Sequence, residues 1–281
     1  MPPADVLDVR EAMVLEGLIE AAIAGSEAIL PIYRDLAQCG TRNKGDGSPV
    51  TIADEAAERA IVAVLARVAP GVIVIAEEAC AAGHMPETAE RFLLVDPLDG
   101  TKEFVNGSGD FTVNIALIEH GIPVMGVVLC PATGDIFAGD ASGASRGRVV
   151  DGRAIDWHAV HCAGAAPQSV RVIASRSHLT EETRAYCDRF AVSAFISAGS
   201  SLKFCRLAEG AADLYPRMGR TMEWDTAAGD AVLRAAGGRV RTLDGRDLAY
   251  GKRHQAADAD FANPWFVAHG GFDPFALESD Q

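Results

Sequence analysis

The hexapeptide at residues 96–101, Asp-Pro-Leu-Asp-Gly-Thr, contains the residues of this chain that are best suited to chemistry. Four apolar residues precede it, and this pattern predicts a buried strand that ends where the carboxylates begin. Two carboxylates about 4 Å apart repel each other by roughly 4 kcal/mol at the effective dielectric of a protein surface. A hard cation such as Mg²⁺, which prefers oxygen ligands, would offset that repulsion. The sequence therefore predicts a metal site at Asp96 and Asp99.

Gly100 and Thr101 add a second chemical feature to the hexapeptide. Their backbone N–H groups would lie at a chain reversal, where an anion can dock. Carboxylates that hold a cation beside such an anion site are the outline of a phosphoester hydrolase. The same residues also fit an ordinary Asp-Pro turn followed by an Asp-Gly turn, so further acidic residues must decide between the two interpretations.

Three other carboxylates occupy positions that suit the same site. Glu77 follows a short apolar strand, as Asp96 does, and neighbouring strands would bring both to one edge of a sheet. Only one of the adjacent Glu77 and Glu78 is expected to be a ligand, because successive residues that leave a strand point in opposite directions. Asp225 and Asp54 each lie near the predicted start of a helix, where an N-cap is the ordinary interpretation. Three or more such carboxylates in one cleft would form a metal site.

Composition and missing motifs exclude several other classes of function. The 281 residues have a formal net charge of −14, which argues against a nucleic-acid polymer as partner. The six cysteines are scattered without zinc spacing and predict buried thiols in a reducing compartment. The sequence has no apolar segment long enough for a membrane span and no signal-peptide pattern at its start, so we expect a cytoplasmic protein. It also lacks the P-loop, dinucleotide-binding, serine-hydrolase and zinc-protease motifs.

The apolar pattern predicts a change of architecture near the middle of the chain. The first part is predicted to contain helices at 11–33 and 53–68, a loop at 42–49, strands at 72–75 and 92–95, a meander over 111–138 and two edge strands within 140–170. The second part is predicted to alternate, with strands at 172–174, 192–197 and 212–216 and helices at 180–190, 200–209 and 223–236. We therefore expect an α+β half over residues 1–160 and an α/β half over residues 161–281, packed as one compact unit.

Two segments resemble the signatures of the inositol monophosphatase superfamily, a group of lithium-sensitive, Mg²⁺-dependent phosphatases. They are residues 96–118, DPLDGTKEFVNGSGDFTVNIALI, and residues 222–229, MEWDTAAG. Within the superfamily the chain looks most like the 3′(2′),5′-bisphosphate nucleotidases of the bacterial CysQ type. That second resemblance depends on residues 99–104 (DGTKEF), 175–178 (SRSH), 199–205 (GSSLKFC) and 214–217 (LYPR). The similarity extends over roughly residues 10–270.

The resemblance implies a fold and a set of site residues. The fold is an α/β layered sandwich with the order α-β-α-β-α. The implied ligands of two or three Mg²⁺ ions are Glu77, Asp96, Asp99, Asp225 and the carbonyl of Leu98. Thr101 and Asp54 would orient and deprotonate the attacking water, and the N–H groups of Gly100 and Thr101 would hold the phosphate. The implied reaction is direct hydrolysis by metal-activated water.

Substrate choice is expected to depend on the second half of the chain. Arg217 stands where inositol monophosphatases carry an acidic residue, and a guanidinium suits a phosphate or a base. His178, Ser200 and Lys203 would complete a nucleotide pocket, although each alone also fits an ordinary role: a loop residue, an N-cap and a solvated helix residue.

The predicted reaction converts adenosine 3′,5′-bisphosphate (PAP) to AMP and phosphate, with its sulfated precursor (PAPS) as a second candidate substrate. The expected partner is thus a small phosphorylated nucleotide, and oligomerisation is left open. Two alternatives remain at this point. One is an inositol monophosphatase or sugar-bisphosphate phosphatase, and the other is a non-catalytic, metal-binding regulatory protein.

Overall fold

The structure is a computed structural model that describes residues 4–35, 41–43, 49–164, 168–174 and 180–276. Its helices are α1 (Ala4–Arg34), α2 (Ile52–Val68), α3 (Glu77–Ala81), α4 (Thr101–Val105), α5 (Glu181–Cys187), α6 (Leu202–Ala208) and α7 (Ala227–Ala235). Its first strands are β1 (Thr41–Asn43), β2 (Pro49–Thr51), β3 (Ile73–Ala76), β4 (Arg91–Asp99), β5 (Thr112–Glu119), β6 (Ile122–Leu129), β7 (Asp135–Asp140), β8 (Gly143–Val150) and β9 (Arg153–Val160). The later strands are β10 (Val170–Ala174), β11 (Val192–Ser197), β12 (Leu214–Arg217), β13 (Arg239–Thr242) and β14 (Phe266–His269).

A seven-stranded sheet in the order β3-β4-β5-β6-β7-β8-β9 supports the first half of the candidate site. Strands β4, β5 and β6 are almost wholly buried, as their near-continuous apolar sequences predict. β3 runs parallel to β4, with Ala76 opposite Val95, whereas the other neighbours pair antiparallel. This pairing confirms the prediction that the two strands are neighbours. Glu77 and Asp96, which follow the paired residues Ala76 and Val95, therefore lie at the same edge of the sheet.

Strands β10 to β14 form a second sheet, which has five strands in the order β11-β10-β12-β14-β13. β10 lies parallel to both β11 and β12, as the alternation of strands and helices predicts. β14 runs antiparallel to β12 and β13 and closes the sheet.

Three clusters of buried side chains show how the layers are stacked. The first cluster, which includes Leu18 and Ile115, lies between the pair α1–α2 and one face of the seven-stranded sheet. The second, which includes Phe92 and Phe204, surrounds α6 and α7 between the two sheets. The third, which includes Tyr186, packs α5 against the five-stranded sheet. The order of layers is α-β-α-β-α, which confirms the predicted fold class.

Two glycines of the seven-stranded sheet let α7 approach its backbone closely. A Cβ atom on Gly126 would come within 2.5 Å of the carbonyl oxygen of Ala228. A Cβ atom on Gly139 would come within 2.8 Å of the Cα atom of Val232. Because no side chain separates them, the start of α7 is fixed against the sheet that carries Asp96.

Several predicted boundaries differ from the structure. β4 does not end before the carboxylates but continues to Asp99, with an irregular register between Asp96 and Asp99. α7 begins at Ala227, because the preceding residues are held by side-chain contacts with another loop, so Asp225 lies outside the helix and Thr226 takes the N-cap position.

Other elements went unpredicted or fall outside the described residues. β13 and β14, each four residues long, were not predicted from the sequence. The ends of the predicted loop at 42–49 belong to the β1–β2 pair. Residues 44–48 of that loop lie outside the described residues.

Candidate metal and phosphate site

Three carboxylates meet at the edge of the seven-stranded sheet, two from one region of the chain and one from much further along it. Glu77 begins α3, Asp96 lies in β4, and Asp225 lies just before α7. One carboxylate oxygen of each lies within 4.8 Å of the others. Asp96 is buried and the other two are half-buried. Such a set of oxygen donors suits a hard divalent cation such as Mg²⁺.

Glu77, and not the adjacent Glu78, belongs to this cluster. Both residues lie in the first turn of α3, which begins at Glu77, and not at the end of a strand as the sequence pattern predicts. The backbone N–H of Glu78 instead donates to Oε2 of Glu58 at 2.8 Å. Glu77 thus lies in the acidic cluster, and the expectation that only one of the pair is a metal ligand stays a prediction.

The carboxylate of Asp225 is held where negative charge accumulates. Burial raises the pKa of Asp225 well above its usual range, and the charges of Asp99 and Glu77 raise it further. The N–H of Met222, which donates to Oδ2 of Asp225 at 2.8 Å, acts in the opposite direction. Partly desolvated carboxylates that repel one another are costly without a positive partner. The donor set therefore fits a divalent metal.

Asn114 gives a second indication that a ligand belongs here. It lies on β5 opposite Asp96 and is 1% exposed. Its Nδ2 lies 3.5 Å from Oδ2 of Asp99, and its buried Oδ1 has no hydrogen-bond partner among the described residues. An unpaired buried acceptor costs about 1–3 kcal/mol. A cation, or water held by one, would supply the missing partner.

The turn after β4 depends on Gly100. Its φ is +91°, and a Cβ atom there would come within 2.9 Å of Oγ of Ser200, so a larger residue would be strained. α4 begins at the next residue, Thr101, whose Oγ1 lies 3.4 Å from the carbonyl oxygen of Leu98. The N–H of Leu98 donates to Oδ1 of Asp96 at 3.0 Å. These contacts fix the turn beside the carboxylates.

A cavity of about 120 Å³ opens beside these residues and is lined by both halves of the chain. Its lining includes Asp99, Gly100, Glu103, Ser200, Lys203, Tyr215, Arg217, Thr221 and Asp225. Oγ of Ser200 donates to the backbone oxygen of Asp99 at 2.5 Å, and Oγ1 of Thr112 lies 3.2 Å from the same Oγ. These hydroxyl contacts connect the two sheets across the site.

Lys203 brings a buried positive charge to this cavity. It is 5% exposed, and its Nζ donates to the backbone oxygen of Ser200 at 2.5 Å and lies 5.4 Å from the centre of the Tyr215 ring. Burial lowers the pKa of Lys203 to about 8, although the charge of Asp99 acts to raise it. The interpretation of Lys203 as a solvated helix residue is therefore wrong. The N-cap interpretation of Ser200 is also wrong, because Ser201 takes that position.

Arg217 provides the second cation. Its Nη2 donates to the backbone oxygen of Arg220 at 3.2 Å. Its Nε is buried and has no hydrogen-bond partner within the described ranges. An unpaired guanidinium N–H beside a cavity is suited to an anionic ligand.

Asp54 and His178 complete the residues singled out from the sequence. Asp54 is fully buried in the first turn of α2, two residues after the helix begins, so it is not the N-cap residue. His178 lies outside the described residues. The catalytic role of Asp54 and the substrate-binding role of His178 stay predictions.

Thr112 and Asn114 of the site were missed by the sequence-based reasoning. They alternate along β5, so both lie on one face of a strand that is otherwise apolar. Polar residues two apart in a buried strand were the available signal for a polar contact on that face. Tyr215 belongs to the LYPR segment but was not predicted as a site residue, because its place beneath Lys203 depends on how β12 meets α6.

Within the described parts of the chain, none of the helices has the length and apolar character needed to cross a membrane.

The layered fold and the acidic cluster beside a cationic cavity define an enzyme of the phosphatase class. The model of the inositol monophosphatase family matches residues 11–269. The chain belongs to that family, which confirms the resemblance seen in the sequence.

Relatives within the family are similar along nearly the whole chain. The 3′(2′),5′-bisphosphate nucleotidase CysQ of Escherichia coli K12 is 39% identical over 253 residues, which cover 90% of this chain and 98% of that protein. The crystal structure of CysQ from Bacteroides thetaiotaomicron matches with a TM-score of 0.74 and 36% identity, over 92% of this chain and 97% of the other. The inositol monophosphatase of Anabaena, at 23% identity and a TM-score of 0.69, covers 92% and 90% and shares the fold.

Proposed function

We propose that this chain removes the 3′-phosphate of PAP and releases AMP and phosphate, with PAPS as a second substrate. The observation that carries the proposal is the pair of cations, Lys203 and Arg217, in the same cavity as Asp99 and Asp225. A bisphosphate needs a cationic site for its second phosphate in addition to the site where hydrolysis occurs. The names of the relatives from E. coli and Buchnera aphidicola, both 3′(2′),5′-bisphosphate nucleotidases, support the same activity.

The proposed cofactor is Mg²⁺, with two or three ions per site. Glu77, Asp96, Asp99, Asp225 and the carbonyl of Leu98 would hold it. When bound, it would neutralise the carboxylates, lower the pKa of the attacking water and offset charge on the leaving oxygen. The clustered carboxylate oxygens and the unpaired Oδ1 of Asn114 support this assignment.

The chain's own groups would position the reactants and move the proton. The N–H groups of Gly100 and Thr101 would hold phosphate oxygens as negative charge grows in the transition state. The Thr101 hydroxyl would orient the attacking water, and the carboxylate of Asp54 would accept its proton. Support for this arrangement comes from the fixed turn at Gly100 and from the full burial of Asp54.

Selection of the nucleotide is proposed to depend on the second half of the chain. Lys203 and Arg217 would bind the second phosphate, and Ser200 and His178 would contact the sugar or the base. The unpaired Nε of Arg217 supports this role, because it leaves a charged donor available for a charge-assisted hydrogen bond. A cytoplasmic location and a small nucleotide partner remain the expectations from the sequence.

A substrate panel tests the proposed activity. Phosphate release with Mg²⁺ would be measured on PAP, PAPS, inositol 1-phosphate, fructose 1,6-bisphosphate and histidinol phosphate. We expect kcat/KM for PAP to exceed that for inositol 1-phosphate by at least about tenfold, since the polyol lacks the second phosphate. The Asp99→Asn variant, purified in the same way, controls for contaminating phosphatase. Preference for the polyol or a sugar bisphosphate would replace the nucleotidase assignment, and release from no substrate would favour a non-catalytic protein.

A further inference from the structure

Asp225 lies on a segment that has little regular structure of its own. Residues 218–226 connect β12 to α7, and the one strand-like contact within 221–226 is an isolated bridge between Met222 and Ala262. The carboxylate of Asp225 is tied within the segment through the N–H of Met222. The position of the whole segment relative to Glu77 and Asp96 therefore has to be fixed from outside.

Asn263 makes the central contacts to this segment. It is 4% exposed, and its backbone N–H donates to the carbonyl oxygen of Thr221 at 2.9 Å. Its side-chain Nδ2 lies 2.8 Å from the carbonyl oxygen of Met222. The same Nδ2 lies 3.2 Å from Oγ1 of Thr221 and 3.0 Å from Oγ1 of Thr226. One buried amide thus joins both ends of the segment that carries Asp225.

A buried ion pair reinforces this contact. Glu223 is fully buried and accepts hydrogen bonds from the backbone N–H groups of Gly251 and Lys252, at 2.6 and 2.8 Å. Nζ of Lys252 lies 2.7 Å from Oε1 of Glu223 and donates to Oδ1 of Asn263 at 3.1 Å. The segment is therefore held by loops at 251–252 and 263, which are joined through Lys252. Two further contacts add to this: Oγ of Ser201 donates to the backbone oxygen of Asp225 at 2.6 Å, and the N–H of Glu223 donates to the carbonyl oxygen of Phe261 at 2.8 Å.

We propose that Asn263 is a positioning residue for metal binding, which holds Asp225 where its carboxylate can share a cation with Glu77 and Asp96. Repulsion among the three carboxylates favours their separation, and Asp225 is the one that lies on neither a strand nor a helix, so contacts to its segment have to oppose that repulsion. The amide is suited to this task because it donates to the segment and accepts from Lys252 at once. The inference depends on the metal site of the proposed function, and not on which phosphate ester is the substrate.

Mn²⁺ binding to the full chain, measured by isothermal titration calorimetry without any nucleotide, tests the inference. Asn263→Asp keeps the size of the side chain but replaces the donor with an acceptor that faces three oxygens. We expect the Kd for Mn²⁺ to rise about 10- to 100-fold, the usual effect of removing a group that orients a metal ligand. Thr226→Val, which removes one acceptor of Nδ2, should weaken binding by a smaller factor, whereas Thr226→Ser keeps the hydroxyl and should bind as the wild type does.

Asp213→Asn provides a matched control in the same half of the chain. Asp213 is also buried, and its loss breaks an ion pair with Arg171 at 2.6 Å that does not touch the Asp225 segment. This variant should lose stability without a change in the Kd for Mn²⁺. An unchanged Kd in both Asn263→Asp and Thr226→Val, or an equal rise in Asp213→Asn, would overturn the positioning role. Failure of the wild type to bind Mn²⁺ would instead refute the metal site of the proposed function. If Asn263→Asp does not fold, the pair at Thr226 decides.

Discussion

Replacement of Arg217 by alanine should damage hydrolysis of PAP far more than hydrolysis of inositol 1-phosphate. The Nε of Arg217 has no partner in the described protein, so a ligand phosphate would gain a charge-assisted hydrogen bond there. A hydrogen bond to a charged group is worth about 1.5–3 kcal/mol. At roughly 1.4 kcal/mol for each factor of ten, its loss lowers kcat/KM for PAP about 10- to 150-fold. Inositol 1-phosphate has no second phosphate, so its residual hydrolysis should fall much less.

The assay compares kcat/KM for the two substrates in wild type, Arg217→Ala and Arg220→Ala. Arg220 is a matched control, because its side chain is 60% exposed and pairs with Asp258 at 3.4 Å, away from the cavity. Its replacement should change either value less than about twofold, in line with the small contribution of exposed ion pairs. Equal losses on both substrates in Arg217→Ala would show that Arg217 supports only the fold, and the argument for a second phosphate site would fail.

Two further predictions concern carboxylates. Asp99→Asn should nearly abolish phosphate release, because it removes a proposed metal ligand, while leaving the unfolding midpoint unchanged or higher, because it removes a charge that repels Asp225. Full activity in this variant, with its fold checked by circular dichroism, would refute the role of Asp99. Burial raises the pKa of Asp230 to about 6, with Arg234 acting to lower it. The folded state then binds the proton more tightly than the unfolded state, so this group's contribution to stability is present near pH 4 and is lost as the pH rises through about 6. Urea unfolding should show that the free energy of unfolding of the wild type falls by up to roughly 3 kcal/mol relative to that of Asp230→Asn between pH 4 and pH 7. Parallel pH profiles of the two proteins would contradict this prediction.

The carboxylates of the acidic cluster could be found from the sequence, whereas the contacts that hold Asp225 in place could not. Glu77 follows one apolar run and Asp96 follows another, so their arrival at one sheet edge was predictable once the two strands were taken as neighbours. The place of Asp225 was not, because it depends on contacts between residues 221–226 and Asn263 that are distant in sequence. A helix pattern that begins near residue 223 describes the apolar positions correctly but contains no information about those anchors.

The same limit applies to the cations and to the second sheet. Lysine in a short helix is normally solvated, and only the packing of α6 between two sheets buries Lys203. Strands β13 and β14 went unpredicted although they are no shorter than β3 and β12, and they are established here by their pairing in the sheet. The five-layer order was predictable from the family resemblance. The local pattern alone predicted two halves of the chain, but not how their sheets and helices stack.

Of the three carboxylates of the cluster, Glu77 and Asp96 are synthesised close together, whereas Asp225 is synthesised much later. Asp225 leaves the ribosome after Glu77 by more than half the length of the chain. A nascent chain that ends before residue 225 therefore carries only part of the acidic cluster, whatever the state of its first sheet. Because a ligand stabilises a protein only in the state that binds it, the stabilisation available from a divalent cation reaches the molecule late. Residues before 225 would therefore fold before the full acidic cluster exists, and a divalent cation that binds the cluster would stabilise only chains that include Asp225.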